Sequence, residues 1–154
     1  MNSSKGSEET LSVLDDLLEN ARDGEYGFKA CAEEVADPAL KQTFQARAAE
    51  CAEAAAQLVS LIQSLGGQAD AGGTVSGALH RGWVHAKGAL GADSAVSMLE
   101  ECERGEDAAV ARYRKALEAD LPINAKAVVE RQAAGAQRNH DQIKALRDEY
   151  KAKG

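Results

Sequence analysis

Large rings are nearly missing from this chain: two Phe, three Tyr and one Trp, 4% of 154 residues. Alternating runs of β-branched residues are missing too, so a β-sandwich or barrel lacks its usual material. Proline is confined to Pro38 and Pro122, which leaves long stretches free to stay helical. The three cysteines, Cys31, Cys51 and Cys102, are odd in number, widely spaced and without a CxxC. That excludes a disulfide framework and fits a reducing compartment, with the thiols as small buried hydrophobes. There is no basic excess: 18 Lys and Arg face 25 Asp and Glu, a net charge of −7. Nucleic acid and anionic membrane are thereby excluded as main partners. No apolar run approaches the roughly 18 residues that a membrane helix requires. "MNSSKGSEET" at the N-terminus has no apolar core of a secretory signal. A cytoplasmic protein is expected.

What the chain does have is alanine, leucine, glutamate, lysine and arginine, the residues that favour helix. Apolar steps of three and four predict four helices. The first covers 8–36, behind a disordered lead at 1–7. Its stripe is Leu11, Leu14, Leu18, Ala21, Glu25, Phe28, Ala32 and Val35. The second opens at "DPAL", with Asp37 as cap and Pro38 in the first turn, and ends at Gly66-Gly67. Residues 66–92 make a long connection holding His80, Trp83 and His85, which are expected to dock it on the bundle. The third helix covers 94–121 and the fourth 122–150, with a solvated tail at 151–154. The whole of 8–150 reads as one domain.

The third stripe contains a break. Val96 and Leu99 are followed by Glu103 and Glu106 before Val110, Tyr113 and Leu117 resume it. Glu25 interrupts the first helix, Glu50 flanks the second stripe, and His140 sits in the fourth. If the long connection returns the chain along the bundle, the second and third helices run parallel. All five polar residues then lie roughly 10–13 residues from one end, about 15–20 Å along the axis. A simple up-down-up-down path would separate them by about 10 Å. Carboxylates gathered inside a bundle need a cation, either a metal or an arginine, and Arg47 is the nearest candidate arginine. Gly24, Gly27, Gly105 and, more loosely, Gly135 fall at the same height, which points to close helix approach or local distortion.

The stretches "DGEYGF" (23–28), "DPALKQTF" (37–44), "ALHRGW" (78–83), "EECERGEDAA" (100–109) and "RNHDQIKALRDEY" (138–150) resemble a bacterial DUF2383-like family. That family is a domain of unknown function among the ferritin-like bundles, related to rubrerythrin and bacterioferritin. The resemblance implies an all-α, ferritin-like antiparallel four-helix bundle with a long crossover between the second and third helices. It implies no established activity. Many ferritin-like bundles hold two irons with a Glu from each of two helices and Glu-x-x-His from the other two. Here the second helix offers Glu50-x-x-Glu53 and the fourth Gln137-x-x-His140, so one histidine matches and one bridging carboxylate is replaced. The expected metal set is Glu25, Glu50, Glu103, Glu106 and His140, a degenerate site for iron, manganese or zinc. The competing expectation is a closed ion-pair network. Two function classes follow: a metal-binding oxidoreductase or ferroxidase, and a non-catalytic, stress-related or scaffolding homodimer. No catalytic residue is assigned.

Overall fold

Each helix begins and ends where its local chemistry directs. In the computed structural model, which describes residues 2–69 and 95–153, the four helices are α1 (Asn2–Glu34), α2 (Pro38–Ser64), α3 (Ala95–Glu118) and α4 (Ile123–Lys153). The backbone of α1 is helical from Asn2, so the stretch expected as a disordered lead extends the helix instead. Residues 70–94, with His80, Trp83 and His85, lie outside the described residues.

Asp37 caps α2 by accepting the Ala39 and Leu40 amides at 2.8 and 3.2 Å, satisfying donors that the first turn leaves over. Its other oxygen accepts the Tyr150 hydroxyl at 2.8 Å, tying the end of α4 to the α1–α2 turn. At the far end of α2, Gly66 takes φ +86°. The Gly67 amide then reaches back to Ile62 O at 2.9 Å, a helix ending that favours glycine. Gly67 has a second reason: a β-carbon there would come within 2.7 Å of Leu11.

The packing partners fix the directions. α1 lies against α2, and α3 against α4; α1 meets α3 less extensively and α2 barely meets α4. Cys31 lies opposite Cys102, and Asp16 opposite Arg112, so α1 and α3 run antiparallel. α2 and α3 are therefore parallel, so the end of α2 and the start of α3 lie at opposite ends of the bundle. This is the crossover topology that brought the polar residues to one height.

The apolar interior is divided. One cluster, around Leu14, Leu17, Leu58, Ile62, Ala125 and Val129, fills the end where α2 stops. The other, around Phe28, Val35, Leu40, Phe44, Leu99 and Ile143, fills the end where α1 turns into α2. Between them is a polar waist.

Gln132 of α4 links three helices beside the first cluster. Its amide donates to Ala54 O at 3.2 Å and to Gln57 Oε1 at 2.9 Å, while its Oε1 accepts the Tyr113 hydroxyl at 2.9 Å. Tyr113 is buried, and burial raises its phenol above the ordinary value. Gln132→Leu should cost about 1–3 kcal/mol in urea unfolding, because it orphans that hydroxyl. Adding Tyr113→Phe should recover part of the loss; strict additivity of the two changes would refute the link.

Candidate functional site

The waist is built around Arg47, whose place in α2, three residues after Phe44, turns it inward. Arg47 is only 8% exposed. Its Nη2 donates to Glu50 Oε1 at 2.8 Å, while Nε and Nη1 are buried with no hydrogen-bond partner. Glu50 Oε2 accepts from Asn139 of α4 at 3.2 Å, which bridges the sparse α2–α4 seam.

Glu106 is the buried acid of the waist, 6% exposed. Burial pushes its carboxyl up to about 7, against the opposing pull of Arg47 and His140; Glu50 and Asp107 add to the rise. Loss of hydration raises an acid because the charged form loses most. The same effect pushes the Cys51 thiol up to about 12, with Glu106 adding to it.

The other expected ligands stand at this height but face different sides. Glu25 turns toward the outer groove of α1 and α2, where it pairs with Lys29 at 2.8 Å. Glu103 points across to α4 and pairs with Arg147. His140 faces α3 on the opposite flank, with Nε2 against Asp107 and Nδ1 against Asp141 at 3.1 Å. Its pKa is raised, chiefly by the Asp141 hydrogen bond; burial opposes the rise, and Asp107 adds to it. An imidazole with both nitrogens facing carboxylates is set up as a double donor, the protonated form.

A ferritin-like metal centre needs convergent oxygens and an imidazole with a free lone pair. Among the described residues, no three His, Cys, Asp or Glu side chains come together in a way that would hold a metal ion. The structure brings Glu50 and Glu106 near Arg47 and leaves Glu25, Glu103 and His140 on separate ion pairs. The described residues do not fit a resident metal in this arrangement.

Two features escaped the sequence reading. A cleft of about 190 Å³ opens between α1 and α3, floored by Gly24, Gly27 and Gly105 and flanked by Glu101 and Glu106. All three cysteines line it. The glycines have different reasons to be there. A β-carbon on Gly24 would come within 2.9 Å of Cys51 Sγ, so it permits close approach; one on Gly105 would meet nothing within 4 Å. Glu101, rather than Glu103, turns into the helix interface, 5% exposed and held by Arg104 through both oxygens at 2.9 Å. The available signal was helical phase: Met98, Cys102 and Glu106 are four apart and give a continuous inner stripe.

Comparison with known proteins agrees with this architecture. Residues 9–119 match the profile of a family described as "Domain of unknown function (DUF2383)". No curated protein matches. Among solved structures, a mutant of Dps1 from Mycobacterium smegmatis superposes with a TM-score of 0.75. The match covers 92% of this chain and 97% of that one, at 14% sequence identity, a likeness of fold alone. No helix among the described residues is long and apolar enough to cross a membrane.

Proposed function

The chain belongs to the DUF2383 family of ferritin-like four-helix bundles, and from that premise we propose a non-catalytic helical bundle that assembles with copies of itself. Its interior acids are balanced by its own cations. The observation that carries this reading is the placement of Arg47, a guanidinium buried among Glu50 and Glu106 at the height where a bundle of this kind would put a metal. Two further pairs support it: Glu103 with Arg147, and Glu25 with Lys29. Each neutralises a carboxylate that a metal would need. The self-association part rests on the fold likeness, since the similar structure belongs to a Dps1 protein.

The competing reading is an iron-, manganese- or zinc-binding oxidoreductase using Glu25, Glu50, Glu103, Glu106 and His140. The coupling of Glu106 to His140 is the observation in its favour.

Elemental analysis of protein purified without chelator separates the two. Iron, manganese and zinc are expected well below one per chain, unchanged in Glu106→Gln and His140→Ala. A stoichiometric metal, lost in both variants, would install the metal-binding reading. Light scattering on the same sample should give a mass of at least two chains; a monomer at micromolar concentration would remove the assembly part.

A further inference from the structure

The α1–α3 cleft brings together two thiols that lie 71 positions apart in sequence. Cys31 Sγ and Cys102 Sγ are 3.6 Å apart, both buried, on facing helices. We propose that this pair is an oxidation site at which a peroxide forms a disulfide joining α1 to α3.

A disulfide requires the sulfurs at about 2.05 Å. They must therefore close by about 1.5 Å, a displacement that side-chain rotation and a small helix shift supply. The cleft gives room for this, since Gly24, Gly27 and Gly105 present no side chains there. It also brings a small oxidant alongside both sulfurs, which line it.

The hydrogen bond assigns the roles. The Cys102 thiol donates to Cys31 Sγ, an arrangement that keeps the proton on Cys102. That bond, together with burial, holds the Cys102 thiol well above its ordinary value. Cys31 is the attacking sulfur and Cys102 the resolving one. The Cys31 thiolate attacks one peroxide oxygen, the O–O bond breaks, and the departing hydroxide takes up the proton that Cys31 released. Cys31 is then a sulfenic acid. Cys102 sulfur attacks Cys31 sulfur, the S–O bond breaks, and the Cys102 proton leaves with the hydroxyl as a second water. Two thiols have lost two electrons and two protons, and one peroxide has become two waters. Buried thiols react slowly, so this is a response to sustained peroxide, not a peroxidase turnover. The inference is independent of whether the waist holds a metal.

The experiment uses the full-length chain, reduced and then treated with excess hydrogen peroxide. Intact mass should fall by two hydrogens per chain, and digestion without reductant should yield one linked peptide pair, Cys31 with Cys102. Cys51→Ala should leave that pair unchanged. Cys102→Ala should abolish it and let Cys31 advance to sulfinic acid. In the wild type, oxidation should raise the thermal midpoint and dithiothreitol should restore it, a readout that holds even if Cys102→Ala folds poorly. A link through Cys51, a link between two chains, or intact thiols after prolonged peroxide would each overturn the proposal.

Discussion

Phe44→Ala is expected to lower the unfolding free energy by about 3–5 kcal/mol, the largest effect of any single truncation in this bundle. Phe44 is fully buried in the cluster at the α1–α2 turn. Its ring meets Phe28 with centroids 6.2 Å apart and planes tilted by 34°. The chain has only two Phe, and both are in this contact. The neighbours on that end include Ala30, Ala32 and Ala48. Small side chains fixed to helix backbone cannot swing into a ring-sized void, so the cavity stays open and its full cost is felt. Urea unfolding should show a lower midpoint with little change in slope. A loss below about 1.5 kcal/mol would mean that the helices close over the gap, and that this end is less tightly held than its burial implies.

Glu106→Gln should stabilise the protein at alkaline pH by up to about 3 kcal/mol, while changing little at pH 4. The sign follows from burial. The carboxyl is held near 7 in the fold, against an ordinary 4.5. Between those values the folded state keeps a proton that the unfolded chain has released, so stability falls as pH rises through that window. Above about 7 the whole penalty is present, and an uncharged amide of the same shape removes it. His140 acts in the same direction. Its pKa is raised, so its contribution is complete below the ordinary 6.5 and fades as pH climbs through the folded value. The variant should therefore flatten the pH dependence without abolishing it. Parallel urea series from pH 4 to pH 9 measure both. If Glu106→Gln is instead the less stable protein at pH 9, the ionised carboxylate is bonded to the free Nε and Nη1 of Arg47, and the waist is a net-favourable ion pair.

The fold was legible because helix signals are local. Asp37 with Pro38 and Gly66 with Gly67 are fixed by the capping chemistry of their immediate neighbours, and the structure starts and stops α2 at those places. Crossover topology was legible for another reason: residue counting constrains height along a helix, and only parallel α2 and α3 give the polar residues a common one. What counting leaves free is rotation about the axis. Glu103 and Cys102 differ by one position, or about 100°. Cys102 takes the inner face and leaves Glu103 to reach Arg147. Glu25 likewise yields the inner face of α1 to Gly24, Phe28 and Cys31. Ion pairs between helices, such as His140 with Asp107, carry no sequence signature at all, because they depend on where two rotations meet. The Cys31–Cys102 contact is of the same kind.

The division of the interior into two apolar clusters reaches beyond the waist itself. Cooperativity in a helical bundle comes from continuous burial, and here a charged layer separates the two halves. Amide hydrogen exchange should then report two protection classes. The amides around Leu58 and Val129 would exchange with one opening energy and those around Phe44 and Ile143 with another, each half loosening while its counterpart stays shut. The bundle would then behave as two short barrels on one set of staves, with the Arg47 layer between them.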